Sequence, residues 1–184
     1  MSKLILVRHA QPVIDPSAPS ERWVLAPEAR DATRALADAL APYAPRIVLA
    51  GTEPKMEGTA AMIAERFGIA TERLPGLAEH QRRTGKFVND TAAFEATIQS
   101  LFERPGELVF GEETADQTYA RFARTLDAEL DKHTGTVVAV SGGTAICLFL
   151  SRRSGVDAFT TWKNLRLPMA FVLDRSTFAI ERTL

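Results

Sequence analysis

The side chains that could do chemistry in this 184-residue chain follow three short apolar runs. Residues 4–7 (LILV) are followed at once by Arg8 and His9, a cation beside a potential nucleophile. The run RIVLA leads to Lys55, and the run TVVAV leads to the glycine-rich turn at residues 141–144. Helix N-termini expose free N–H groups, and these groups favour anions, as do basic side chains at the same rim. The pattern indicates a pocket for a phosphate or a carboxylate.

The elements that position these side chains alternate between strand and helix. Buried strands are predicted at residues 4–7, 46–50 and 136–140, with a closing hairpin at 169–174 and 178–182. Apolar residues at helical spacing predict helices at about 27–40, 56–67, 91–103, 115–132, 145–153 and 157–166. This alternation predicts a single α/β domain over residues 1–184, with a mainly parallel sheet covered by helices on both faces. Ligands of such sheets bind at the carboxyl ends of the strands.

Composition narrows the classes of partner. The formal net charge of −1 gives no global basic field, so we expect neither nucleic acid nor an anionic membrane as partner. No run is long enough for a membrane span or a signal peptide, and we expect a cytoplasmic protein. Cys147 is the only cysteine and is interpreted as a small buried hydrophobe. None of the usual metal-ligand spacings occurs, so neither a metal nor a cofactor is predicted.

Four segments in order resemble the histidine phosphatase superfamily, the phosphoglycerate mutase-like enzymes. LILVRHA resembles the N-terminal motif of that family, in which an Arg-His pair ends the first strand. GTEPKMEGTA, LAEHQR and VVAVSGGTA resemble the three later segments that complete the site. The resemblance spans nearly the whole chain, and it implies the three-layer α/β/α sandwich of the phosphoglycerate mutase-like fold.

The resemblance also implies roles for single residues. His9 would become a phosphohistidine, and Arg8 would bind the transferred phosphoryl group. Glu79 would protonate the leaving oxygen and then help a water molecule to attack the phosphohistidine. Lys55 stands where the family usually has a phosphate-binding arginine, so it keeps the charge and loses the bidentate fork. Gly142 stands where the family has its second catalytic histidine.

The glycine at position 142 leaves two functions open. Loss of one preorganised donor slows a reaction on the order of 100- to 1,000-fold, which predicts a slow phosphatase acting on a small phosphomonoester. The alternative is a phospholigand-binding protein that does not turn over its ligand. We expect Gly142 to leave a gap of side-chain size that holds water. His80, next to Glu79, is the histidine that could reach the pocket, whereas His133 lies at the far end of its strand.

Other residues admit two interpretations each. Gly143 could cradle an anion through its N–H group, or the turn could serve only as a tight connection. Arg82, together with Arg83 and Lys86, could contact an acidic substrate or belong to a solvated loop. Ser141 resembles a nucleophile elbow, but no histidine follows residue 133 to complete an acyl-hydrolase triad. Trp23 and Trp162 are interpreted as packing residues, with a substrate platform as the alternative.

Overall fold

The computed structural model describes residues 2–83 and 89–184. Within these residues the chain forms one sheet of six strands: β1 (Lys3–Arg8), β2 (Pro45–Ala50), β3 (Thr71–Arg73), β4 (Thr136–Ser141), β5 (Met169–Asp174) and β6 (Ile180–Thr183). The α-helices of the same residues are α1 (Arg30–Ala39), α2 (Pro54–Phe67), α3 (Thr91–Glu103), α4 (Ala115–Lys132), α5 (Gly143–Ser154) and α6 (Ala158–Lys163).

The strand order is β3-β2-β4-β1-β5-β6. The pairs β3–β2, β2–β4 and β4–β1 are parallel, whereas β1–β5 and β5–β6 are antiparallel. The predicted mainly parallel sheet is therefore confirmed, and β1 lies in its interior. The carboxyl ends of β1, β2 and β4 meet at one edge, since the three strands run in the same direction.

Side-chain alternation along β1 divides the core into two layers. Leu4 and Leu6 are fully buried on the face that α4 and α5 cover, where they belong to one cluster with Phe122 and Phe149. The alternate side chains of β1 pack in a second cluster with residues of α1 and α2, Ile63 among them. A continuous apolar run is required because both faces of the strand are buried. This arrangement confirms the predicted α/β/α sandwich.

Several predicted boundaries differ from the structure by one to three residues, and two of these differences have a cause in the backbone. Residues 27–40 begin with a 3₁₀ turn, Pro27–Ala29, and the α-helix itself ends at Ala39, just before Pro42, which has no N–H to donate. The closing strand begins at Ile180 rather than at 178, because Phe178 has φ 57°, in the left-handed region that a strand does not contain. None of the helices among the described residues is both long and apolar enough to cross a membrane.

Candidate functional site

The ends of β1 and β4 bring the predicted site residues together. Arg8 lies beside Ser141 in the strand register, and the N–H of His9 donates to the carbonyl oxygen of Ser141 over 3.1 Å. The turn with Gly142 follows directly and opens helix α5. The rim of the sheet therefore places a cation, an imidazole and a helix N-terminus side by side, as the sequence predicts.

His9 is held as a neutral imidazole. Its side chain is 7% exposed, and its Nδ1 lies 2.8 Å from the carbonyl oxygen of Ala10. A carbonyl oxygen only accepts, so Nδ1 carries the proton and donates it. The lone pair is consequently left on Nε2, the atom that a nucleophilic imidazole uses.

Burial lowers the pKa of His9 to about 3, and the positive charges of Lys55 and Arg8 act in the same direction. The hydrogen bond to Ala10 and the carboxylate of Glu79 oppose the shift without reversing it. A typical histidine pKa is about 6.5. The imidazole of His9 therefore stays unprotonated at neutral pH and requires no separate base to free its lone pair.

Thr59 fixes the backbone that follows His9. Its hydroxyl is fully buried, accepts the N–H of Ala10 over 3.0 Å and donates to the carbonyl oxygen of Lys55 over 2.8 Å. The carbonyl that orients His9 belongs to Ala10, so Thr59 positions the imidazole through one intervening residue. This threonine lies within the segment GTEPKMEGTA, whose pattern alone assigns it no role.

Arg8 offers one hydrogen-bond donor, its Nε, that has no partner among the described residues. Its Nη1 donates to the carbonyl oxygen of Leu165 over 3.1 Å, whereas its buried Nε has no hydrogen-bond partner among the described residues. Burial lowers the pKa of this guanidinium, and Glu79 opposes the shift. A Cβ added to Gly143 would lie 3.3 Å from Nε, so the glycine leaves the space beside the guanidinium open. A buried donor that makes no hydrogen bond costs free energy, and an anion bound here would accept a hydrogen bond from it.

Lys55 is present in the pocket, but its charge is already compensated. Its side chain is almost fully buried, and its Nζ lies 2.5 Å from Oε2 of Glu53. The same ammonium donates to the carbonyl oxygen of Ser20 and lies 5.8 Å from the centre of the Trp23 ring. Glu53 therefore tethers the lysine, and the sequence pattern assigns no role to this partner.

Glu79 is bound to the N-terminus of helix α5. Its Oε2 accepts the N–H of Thr144 over 3.0 Å, and its Oε1 accepts the N–H groups of Ala145 and His80 over 2.9 Å and 2.8 Å. Its own N–H donates to Oε1 of Glu53 over 2.9 Å. The free amides and the dipole of a helix N-terminus stabilise such a carboxylate.

The prediction of a water-filled gap at Gly142 is wrong, because Glu79 fills it. A Cβ added to Gly142 would clash with the carboxylate and would lie 2.7 Å from the Cβ of Glu79. The backbone of Gly142 is ordinary extended chain, with φ −89° and ψ 161°. A side chain at this position is therefore excluded by Glu79 and not by backbone strain. The two positions are coupled, since the missing side chain at 142 gives the carboxylate its place.

The environment holds Glu79 as an anion. Burial raises the pKa of its carboxyl, but the positive charge of Arg82 and the three backbone N–H groups outweigh burial and lower the pKa below its usual value. A carboxylate with three donors and a neighbouring guanidinium binds no proton at neutral pH. In this arrangement Glu79 is a carboxylate that has no proton to donate.

A rigid segment presents Glu79 to the helix. The guanidinium of Arg121 donates to the carbonyl oxygens of Gly76, Ala78 and Glu79 over 2.8 to 3.1 Å and pairs with Glu113 over 2.7 Å. Oε1 of Glu113 also accepts the N–H of the residue at position 81. Arg121 and Glu113 lie outside the recognised motifs, so the sequence carries no signal for them.

Two other candidates from the sequence are not free to react with a phosphate or an acyl group. His80 is 2% exposed, and its ring nitrogens lie 2.8 Å from Oγ1 of Thr118 and 3.0 Å from the carbonyl oxygen of Phe110, so both nitrogens already have partners. Ser141 is fully buried and donates its hydroxyl to the carbonyl oxygen of Leu77 over 2.6 Å, so it is no acyl-hydrolase nucleophile. Cys147 is fully buried, as expected.

A cavity of about 1060 Å³ opens from Arg8 and His9 toward solvent. Its lining includes Lys55, Glu79, Gly143 and Arg82 from the predicted site, and it also includes both tryptophans. The Nε of Arg82 donates to Oγ of Ser20 over 3.2 Å. Gly142 contributes through the space it leaves for Glu79 and is not itself part of the lining. Lys86 lies outside the described residues.

One cluster elsewhere has the chemistry of a metal site. Among the described residues, ligand atoms of Glu72, Glu129 and His133 lie within 4.8 Å of one another. Nε2 of His133 is 3.4 Å from Glu129 and 3.5 Å from Glu72. The cluster lies beside the start of β4, at the opposite end of that strand from Gly142, so it takes no part in the chemistry of the cavity.

The model of the histidine phosphatase superfamily (branch 1) matches residues 4–172. No curated protein matches the sequence. The fold is similar to that of a mycobacterial glucosyl-3-phosphoglycerate phosphatase, with a TM-score of 0.71 and 20% identity over 100% of this chain and 97% of the other. A complex of that phosphatase with VO3 superposes with a TM-score of 0.76 at 17% identity over the same shares of the two chains.

A second phosphatase has the same fold. The alpha-ribazole phosphatase of Shigella flexneri superposes with a TM-score of 0.70 and 16% identity, covering 99% of this chain and 95% of the other. Identities at this level establish the common architecture and leave the chemistry to be argued from the residues of this chain.

Proposed function

Because the chain belongs to the histidine phosphatase superfamily, we propose that it hydrolyses phosphomonoesters through a phosphohistidine on His9. The observation that carries the proposal is the state of His9 itself. Its imidazole is buried and neutral, with Nδ1 donating to Ala10 and Nε2 left to attack. Beside it, the unpartnered Nε of Arg8 supplies a charged donor for the phosphoryl oxygens.

The first half-reaction transfers the phosphoryl group. The lone pair of His9 Nε2 forms a bond to phosphorus, and the ester P–O bond breaks with its electron pair on the leaving oxygen. Arg8 binds the equatorial oxygens, and Lys55 adds a second, partly compensated positive charge. The hydrogen bond from the N–H of Ala10 to Thr59 keeps the imidazole of His9 oriented toward phosphorus.

The second half-reaction releases phosphate. A water molecule attacks phosphorus, the N–P bond breaks, and its electron pair returns to Nε2. The carboxylate of Glu79 accepts the proton of the water, a role that suits a group held as an anion. Protonation of the leaving oxygen by Glu79 would need a proton that the free site does not hold. The proposed steps use no metal ion, and among the described residues the carboxylate of Glu79 and the nearby carboxylate of Glu53 are already occupied, by the amides of α5 and by Lys55.

We expect this phosphatase to be slow for two reasons. The place of the second histidine holds a carboxylate, so one donor to the phosphoryl oxygens is missing, a loss on the order of 100- to 1,000-fold. The negative charge of Glu79 also repels the incoming phosphate and takes up N–H groups of α5 that favour anions. The same observation favours a second candidate, a protein that binds a phosphoryl ligand without hydrolysing it.

The proposal is tested by phosphate release from 4-nitrophenyl phosphate. The wild-type protein should release phosphate, and His9→Ala should lower the rate by about a thousandfold or more. His133→Ala is the matched control, because it removes a histidine at the opposite end of β4. Release that persists in His9→Ala would exclude His9 as the nucleophile. Binding of vanadate by a wild-type protein that releases no phosphate would favour the second candidate.

A further inference from the structure

The cavity is much larger than a phosphoryl group requires. Its volume of about 1060 Å³ lies at the upper end of the range for drug-sized ligands, about 300–1,000 Å³. Arg8 and His9 occupy one part of its wall, and the remaining wall extends from the loop at residues 11–20 to α3 and α6. The part of the cavity beyond the phosphoryl position is where the alcohol portion of a phosphomonoester would lie.

That remaining wall is aromatic and apolar. Phe94 of α3 and Trp162 of α6 pack against each other, with ring centres 5.8 Å apart and ring planes inclined at 60°. Phe110 and Leu167 continue the same surface. The guanidinium of Arg82 lies 5.1 Å from the centre of the Phe94 ring and covers one side of it. Aromatic rings favour such tilted and offset contacts with another ring.

Both tryptophans of the chain line this cavity. Trp23 and Trp162, interpreted from the sequence as packing residues with a substrate platform as the alternative, both lie in its wall. Ile14, on the facing loop, also lines it and is 52% exposed. Ile14 therefore adds apolar surface to the cavity on the side that faces the aromatic residues.

The protonation state of Glu79 indicates the same kind of substrate, one with an aromatic alcohol portion. In the free site both oxygens of Glu79 accept backbone N–H groups, and the carboxyl is held as an anion, so it supplies no ready proton to the leaving oxygen. A phenolic oxygen has a pKa of about 10 and is stable as an anion. An aliphatic alcohol, like water, is a far weaker acid than a phenol and depends far more on a proton donor.

Resting on the proposed function, we infer that the substrates are aryl phosphomonoesters, in which the phosphate lies between Arg8 and His9 and the aromatic ring packs against Phe94 and Trp162. Cleavage breaks the bond between phosphorus and the phenolic oxygen, and the electron pair leaves with the phenolate, which takes a proton from water. The His9 phosphohistidine formed in that step is then hydrolysed as described above.

Binding is measured separately from turnover with phosphonates, whose P–C bond the enzyme cannot hydrolyse. Phenylphosphonate and methylphosphonate carry the same anion and differ in the ring. Trp23→Phe leaves Trp162 as the sole tryptophan, so its fluorescence reports occupancy of the aromatic wall. Phenylphosphonate should bind at least about tenfold more tightly than methylphosphonate, because the ring is removed from water. Equal dissociation constants would overturn the inference.

Two variants locate the ring. Trp162→Ala and Phe94→Ala, followed by calorimetry, should each reduce the preference for phenylphosphonate at least about threefold and leave methylphosphonate unchanged. Phe67→Ala is the matched control, because this phenylalanine packs against the core on the opposite face of the sheet and does not line the cavity. A preference that survives both cavity variants would contradict the placement of the ring.

Turnover distinguishes failure of this inference from failure of the proposed function. Phenyl phosphate should be hydrolysed with a kcat/KM at least about a hundredfold above that of glycerol 3-phosphate. Preference for phenylphosphonate without hydrolysis of phenyl phosphate would support the ligand class and overturn the phosphatase. Hydrolysis of both esters at similar rates would support the phosphatase and overturn the substrate class.

Discussion

The end of β1 and the end of β4 lie side by side, yet they differ in how they would treat a phosphate. At β1, His9 is buried and Arg8 is partly buried, and the buried Nε of Arg8 still lacks a partner among the described residues. At β4, the helix amides are already occupied by Glu79, which stands in the space left by Gly142. Gly142 has therefore not left a hole, because a neighbouring carboxylate binds the exposed helix N-terminus.

The β1 end of the site therefore favours a bound anion, whereas the β4 end disfavours one. In the proposed reaction, the cation at β1 binds a phosphoryl group and the neutral imidazole attacks it. The carboxylate at β4 repels that group and competes for the same N–H groups. We therefore expect the coupling between positions 79 and 142 to limit the rate of the proposed reaction.

The largest expected effect tests the β1 end. Arg8→Ala should weaken vanadate binding by about a hundred- to a thousandfold, because a buried charged donor to the anion is lost. Lys55→Arg should change it by less than about tenfold, since the ammonium is already paired with Glu53. Inhibition of phosphate release by vanadate gives both values. Similar losses in the two variants would place the anion elsewhere.

The next effect tests the β4 end by restoring the donor. Gly142→His should raise aryl phosphate hydrolysis roughly ten- to a hundredfold over Gly142→Ala. Both side chains must displace Glu79 from α5, so the alanine variant controls for the displacement and isolates the imidazole. Melting temperatures would show that both variants fold. Equal rates in the two folded variants would mean that a histidine here no longer reaches the phosphoryl group.

Glu79→Gln separates binding from turnover. The glutamine removes the negative charge beside the phosphoryl position, so vanadate affinity should rise by roughly tenfold. Phosphate release should fall at the same time, because the second half-reaction loses its proton acceptor. Calorimetry and a release assay on the same preparation measure the two changes. Weaker vanadate binding in this variant would show that the carboxylate supports the anion rather than repelling it.

The smallest effect concerns stability and pH. The pKa of His9 is about 3 in the folded protein and about 6.5 when unfolded, so the unfolded state binds more protons between these values. The contribution of His9 to stability is nearly complete at pH 7.5 and is lost as the pH falls toward 3, by about 1.4 kcal/mol at pH 5.5. His9→Gln should flatten the pH dependence of urea unfolding between pH 7.5 and 5.5. An equal pH slope in both proteins would contradict a buried neutral imidazole.

The sequence predicts the helix bounds well where the spacing of apolar residues and the capping residues agree. The bounds of α3 and α4 match residues 91–103 and 115–132, because capping residues fix both starts, Asp90 for α3 and Thr114 for α4. The closing strand is misplaced by two residues, because the left-handed backbone of Phe178 leaves no apolar signature.

Within the site, the sequence predicts which residues meet and fails on what they do to one another. The motifs bring Arg8, His9 and Lys55 to one rim, as the lining of the cavity shows. Nothing in the residue order reveals that Lys55 pairs with Glu53 or that Glu79 reaches the helix that Gly142 opens. These are contacts between distant segments, and they depend on the shape of the space that a missing side chain leaves.

We propose that the β1 end forms a covalent intermediate, a phosphohistidine on His9. Rapid quenching of the wild-type protein with an aryl phosphate, followed by mass spectrometry, should give a phosphopeptide that is labile to acid and stable to base. The modification should map to His9 and be absent from His9→Ala. A label on another residue, or no label in a protein that releases phosphate, would contradict the account.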